Sequence, residues 1–207
     1  MNLRTRMVSL FSFLLLSVPS FSYADDTSWF GGESELIYYF SFDCGLCYQN
    51  EPYYSLIKIK ADPATTLIKV PVQATQRERA GARLQFLMAL SKKHYKLSEL
   101  ERSRAGYSLL ESHPELNPND KEGYKRLFED YGMQFSDFEF EKWWVDSSQL
   151  MADAEHLVAL AERGEGQVLP GDVRVYKGGK TRWFSLYNEE PLPVVKAILK
   201  VINHVEI

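Results

Sequence analysis

The 207-residue chain has only two cysteines, Cys44 and Cys47. Two cannot build a disulfide framework. A bridge between them would close so small a loop that it restricts the unfolded chain little. A structural zinc site draws on about four ligands, and the four histidines His94, His113, His156 and His204 are dispersed along the chain. Each reads as an ordinary surface or cap histidine, and none forms a ligand pair with the cysteines. Also missing are repeats, low-complexity segments and, after the N-terminus, any apolar run long enough to span a bilayer. A large positive excess is lacking as well. With 24 basic against 28 acidic residues, the chain offers no electrostatic footprint for nucleic acid or an anionic membrane.

The N-terminus has the three parts of an export signal. Arg4 and Arg6 are basic, Met7 to Val18 is a short apolar stretch, and Ser22-Tyr23-Ala24 places small residues where a signal peptidase reads. Cleavage after Ala24 is expected. The apolar run is too short for a membrane anchor. Losing Arg4 and Arg6 leaves 22 basic and 28 acidic residues, a mature charge of −6. With 45% hydrophobic and 25% charged residues the chain is globular. Export puts the cysteines in an oxidising compartment. A purely structural bridge is disfavoured, which leaves redox chemistry or metal binding.

Glu35 to Phe42 reads as a strand buried on both faces, with a helical pattern from Gly45 that Pro52 should kink. Thr65 to Val72 is a second strand, whose Pro71 argues for a terminus or an edge position. Helical patterns follow at Gln76 to Leu90 and at Ser98 to Leu110. Another runs from Lys121 to Tyr131, after a cap at Asn119 or Asp120. The last of this block runs from Ser136 to about Glu162, with a possible break at Asp146-Ser147-Ser148. Ser136 with Glu139 fits a capping box. Val173 to Tyr176 and Arg182 to Leu186 form a hairpin around Gly178-Gly179. A final helix from Pro191 buries Leu192, Val195, Ile198, Leu199 and Ile202. The order implies an α/β sheet domain, residues 25–75 and 164–207, split by a helical insertion over 76–163.

Two thiols at i and i+3, the first at a helix N-terminus, can close a disulfide within one turn. Unpaired N–H groups and the helix dipole favour a thiolate at Cys44. Cys47, one turn in, should be the more buried and should resolve a mixed disulfide. The spacing and the absence of further ligands favour redox use over metal.

The stretch Phe40-Ser-Phe-Asp-Cys-Gly-Leu-Cys-Tyr-Gln49 resembles the active-site segment of the DsbA-like thiol:disulfide oxidoreductases. The resemblance covers nearly all of the mature chain. It implies a thioredoxin-like fold with an inserted all-helical domain. It also implies a cycle in which Cys44 and Cys47 donate a disulfide to exported proteins, without a cofactor, and are reoxidised by a quinone-linked membrane oxidase. The expected protein is periplasmic and monomeric. The family keeps a cis-proline loop beside its cysteines. Leu169-Pro170 is the candidate, exposing the backbone of Leu169 to a substrate strand.

Three residues tune the pair. The best-known members carry a histidine before the second cysteine, where this chain has Leu46 after Gly45. Leu46 offers neither charge nor hydrogen bond, and Asp43 opposes a thiolate. A milder, less oxidising pair is expected. Lys69 matches a family lysine, whereas the buried acid of the first strand is replaced by Tyr38. Gly171, Asp172 and Arg174 stand where an apolar run is usual, which suggests an exposed strand face. Two other outcomes fit the residues: a more reducing isomerase or reductase, and a chaperone or binding protein with a vestigial pair. A copper-delivery role would require Cu(I) binding. One of Trp143 and Trp144 is expected in the core, and Lys58, Lys60, Lys92 and Lys93 on solvated faces.

Overall fold

A computed structural model describes residues 30–94, 96–187 and 190–203. The export-signal reading and His204 lie outside these residues. The chain runs β1 (Ser34–Phe40), α1 (Gly45–Lys60), β2 (Thr66–Pro71), α2 (Gln76–Leu90), a short 3-10 turn (Lys92–His94), α3 (Glu99–Ser112), α4 (Lys121–Asp130), α5 (Asp137–Glu165), β3 (Asp172–Lys177), β4 (Lys180–Ser185) and α6 (Pro191–Asn203). Among the described residues no helix is long and apolar enough to cross a membrane.

The four strands form one sheet in the order β2-β1-β3-β4. β1 pairs with β2 in parallel, Tyr38 opposite Lys69. A parallel pair needs a crossover, and α1 supplies it. β3 and β4 are antiparallel neighbours. Gly178 (φ 57°) and Gly179 (φ 78°) turn the hairpin between them, as a two-residue turn with both φ positive requires. Pro71 ends the edge strand, where a lost donor costs no ladder bond.

β1 is buried along its whole length. Leu36, Tyr38 and Phe40 face one core with Tyr54 and Ile57 of α1 and Val195, Ile198 and Ile202 of α6. Ile37 and Tyr39 face a second core, where Ala154 and Ala161 of α5 meet Val70 and Val72. The period-2 alternation of a strand splits one apolar run into two layers. Of the residues expected on the buried face of α6, Leu192 is instead exposed, because the buried stripe runs through Pro191, Val195, Ile198 and Ile202 and Leu192 lies one position off it. Trp143 is buried and Trp144 packs half-buried against the core. Lys58, Lys60, Lys92 and Lys93 are exposed.

The expected break at Asp146-Ser147-Ser148 does not occur, and α5 is continuous. Ser147 and Ser148 donate to the Trp144 carbonyl (2.8 and 3.0 Å), so their hydroxyls bond within the helix. Arg83 donates to both hydroxyls from α2 (2.8 and 2.7 Å). The strand face expected to be exposed at Arg174 is buried: Val173, Arg174 and Val175 are all enclosed. Arg174 reaches Glu35 of β1 at 3.8 Å, and Glu35 accepts from the backbone N–H of Phe30 at 2.7 Å. A buried charge needs such a partner.

Candidate active site

β1 ends at Phe40, and four residues later Cys44 caps α1. Cys44 has extended backbone angles (φ −105°, ψ 104°), and its Sγ accepts the Cys47 N–H at 3.0 Å. The Cys44 N–H donates to the Ser41 carbonyl (3.1 Å), and the Asp43 N–H to Ser41 Oγ (3.0 Å). These bonds fix the approach to the helix. The two cysteines are joined as a disulfide with Cα atoms 5.2 Å apart. Cys47 is 1% exposed and Cys44 is half-buried. Of the two sulfurs, Cys44 is the one an incoming group can reach, at the helix end where negative charge is favoured.

Phe42 ties this segment to the helical block. Its ring meets Tyr107 of α3 edge-on at 4.8 Å and Phe40 at 5.4 Å. Gly106 lies under the ring, and a Cβ there would run into it. At Gly81 of α2 a Cβ would stand 3.2 Å from the Phe42 Cβ. The two glycines admit the aromatic side chain that precedes the redox pair.

Cys44 opens into a cavity of about 380 Å³. Asp43 and Gly45 line it beside the sulfur, Leu169 and Pro170 form the facing wall, and Glu78 and Tyr187 complete it. Five sequence-predicted residues therefore meet in one place. Leu46 is half-buried and does not line the cavity. Asp43 is exposed, and its carboxylate lies 3.7 Å from Arg77 Nε, which answers part of its charge.

The expected cis bond at Leu169-Pro170 is absent, since the described residues contain no cis peptide. The Asp172 N–H donates to the Leu169 carbonyl (3.1 Å), and Gly171 has φ 104°. Proline followed by a positive-φ glycine is the signature of a type II turn, which forms with a trans bond. The Leu169 N–H is held by the Asp172 carboxylate at 2.8 Å, and its carbonyl is used in the turn. Leu169 is 49% exposed, and with its N–H and carbonyl both engaged the wall it offers is mainly apolar.

One residue escaped the sequence reading. Glu51 lies four residues after Cys47, on the same face of α1, and is 2% exposed. It pairs with Lys69 of β2 and accepts from the Tyr107 hydroxyl at 3.1 Å. Lys69 also donates to Ser103 Oγ (2.7 Å) and lies 4.1 Å from the Phe40 ring centroid. Burial pushes the Lys69 pKa down, with Glu51 working against that. Tyr38 does fill the first-strand position opposite Lys69, but burial raises its phenol far above neutrality. The acid beneath the pair therefore comes from α1, one turn beyond Cys47. The i, i+4 spacing from Cys47 was the available signal.

Among the described residues, no group of three or more metal-binding side chains is assembled. What is assembled is a disulfide with one accessible sulfur, one enclosed sulfur and a buried acid–base pair below. Such a pair can exchange with a thiol through a mixed disulfide.

The architecture is a thioredoxin-like fold with a helical insertion. Solved structures with this fold include DsbA proteins. Pseudomonas aeruginosa DsbA aligns with a TM-score of 0.60 at 16% identity, covering 81% of each chain. The DsbA disulfide interchange protein of Klebsiella pneumoniae gives 0.56 at 16%, covering 82% of this chain and 88% of its own. Wolbachia pipientis alpha-DsbA1 gives 0.53 at 16%, covering 84% and 87%. No family model and no curated protein sequence matches the chain.

Proposed function

We propose that the chain is an exported thiol:disulfide oxidoreductase that passes its Cys44–Cys47 disulfide to dithiols of other exported proteins. The observation carrying this reading is the asymmetry of the pair: Cys44 caps α1 at a cavity, and Cys47 is enclosed behind it. The fold shared with DsbA structures supports it. A client thiolate attacks Cys44 Sγ. The Cys44–Cys47 bond breaks, and the electron pair leaves on Cys47, which takes up a proton. A second client thiolate then attacks the client sulfur of the mixed disulfide and releases Cys44. The client loses two electrons and the pair gains them, so no further cofactor enters the step.

Export rests on the N-terminal signal features. A periplasmic location, action as a monomer and reoxidation by a quinone-linked membrane oxidase complete the proposal. Residues 76–163 act as the helical insertion that positions Phe42, and residues 25–75 with 164–207 as the redox domain. Leu169 and Pro170 form the apolar wall against which a client segment lies. Asp43, Gly45 and Leu46 set a milder potential than a histidine-bearing pair would have. The exposed Asp43 carboxylate favours a second reading, a more reducing pair used for isomerisation or reduction with the same two sulfurs.

The oxidised protein should convert a reduced dithiol peptide to its disulfide with one equivalent of pair consumed. The Cys44→Ser variant should lose this activity. If that variant still promoted oxidative refolding of a client, Cys44 would not be the reactive sulfur.

A further inference from the structure

A second pocket of about 380 Å³ opens on the helical side of α1, one residue past the pair. Tyr48, directly after Cys47, forms one wall, and Tyr131 at the end of α4 forms another. Both are nearly half exposed. Tyr48 is held in place: its ring meets Tyr107 edge-on at 5.4 Å, and Tyr107 packs against Phe42. Arg104 of α3 lies between the two walls, with Ser108 one turn further on.

Arg104 is the charged group of this pocket, and among the described residues its guanidinium has neither an ion pair nor a hydrogen bond. Glu101, one turn earlier, is committed to the α3 capping box, where it accepts the Ser98 N–H at 2.8 Å. Lys58, Lys93, Lys121 and Lys125 each pair with an acid. Exposed cations such as Lys60 and Lys92 are also without one, and Arg104 differs from them in lining a pocket. In a chain with net charge −4, an unanswered guanidinium framed by two tyrosines is a carboxylate-binding arrangement, since its planar fork matches that group.

We infer that the Arg104–Tyr48–Tyr131 pocket is a specificity site that takes a carboxylate of the client polypeptide, an Asp or Glu side chain a few residues from the reacting cysteine. The inference rests on the oxidoreductase reading, because the position of Tyr48 next to Cys47 puts the carboxylate and the thiol on one chain. It gives this protein a preference among clients that the disulfide alone does not provide. An exposed charge pair of this kind changes a rate by about two- to fivefold, and salt screens it.

The test uses the oxidised full-length mature protein and a set of dithiol peptides. The peptides differ at a single position, which carries Glu, Gln or Lys and is walked along both sides of the cysteines. The reading is the rate at which each peptide reduces the pair. Expected is a Glu-over-Gln ratio of about two to five at one or two adjacent positions, falling toward one in about 1 M salt. Arg104→Gln should remove that ratio, and Arg104→Glu should shift it in favour of Lys. A ratio near one at all positions, or a ratio unchanged in Arg104→Gln, overturns the site while leaving the oxidoreductase reading intact. If no peptide reduces the pair, the oxidoreductase reading fails and takes this one with it.

Discussion

Replacing Lys69 by Met removes the cation beneath the redox pair without changing the side-chain volume much. Glu51 is 2% exposed, and after the change it keeps only the Tyr107 hydroxyl. Breaking a buried pair from one side costs about 3–5 kcal/mol, because a charge is left enclosed without its partner. For a domain of this size that corresponds to a fall in Tm of about 6–20 °C. Glu51→Gln should cost less. Lys69 already has its pKa lowered by burial, so losing its proton is an accessible way to avoid an unpaired charge. The double variant Glu51→Gln, Lys69→Met leaves no charge and still offers Tyr107 an acceptor. It should lie within about 2 kcal/mol of the starting protein. Urea denaturation of the four proteins, oxidised, gives the coupling energy directly. A Lys69→Met loss below about 1 kcal/mol, or single effects that simply add in the double variant, would refute the argument.

Two further predictions concern the scaffold. Gly106→Ala gains about 1 kcal/mol of helix propensity but drives a methyl into the Phe42 ring, which costs about 1–3 kcal/mol. It should therefore be neutral to destabilising alone and stabilising in a Phe42→Leu background, as thermal unfolding would register by a reversal of sign. At the start of α5, hydrogen bonds from Ser136 and Lys93 hold the Glu139 carboxyl down at about 2, against an ordinary value of 4.5. A depressed carboxyl adds stability above the unfolded value and loses it as pH falls through the folded one. That cap should weaken between about pH 4.5 and 2, and a carbon-13 titration of Glu139 with a midpoint near 4.5 would contradict it.

Local chemistry made much of this molecule legible in its sequence. The helix Gln76–Leu90, the cap at Asp120, the Ser136–Glu139 box and the Gly178-Gly179 turn all depend on residues within a few positions of each other. The cysteine pair was legible because nothing else in the chain competes with it. Two of the readings that failed depend on distant partners. Arg174 is buried because Glu35 lies across the sheet from it, and α5 runs on through Ser147 and Ser148 with Arg83 bonded to both. At Leu169-Pro170 the local signal was present and was outweighed by resemblance: proline, glycine and aspartate in succession spell an ordinary trans turn. Nothing in the residues around Glu51 marks it as buried, and only Lys69 in the edge strand makes it an interior acid.

Equilibration of the pair with glutathione tests the central claim most directly. A redox-active pair tuned by Asp43 and Leu46 should titrate as a single two-electron couple between about −120 and −270 mV. A potential below about −300 mV, typical of a structural disulfide, would contradict the account.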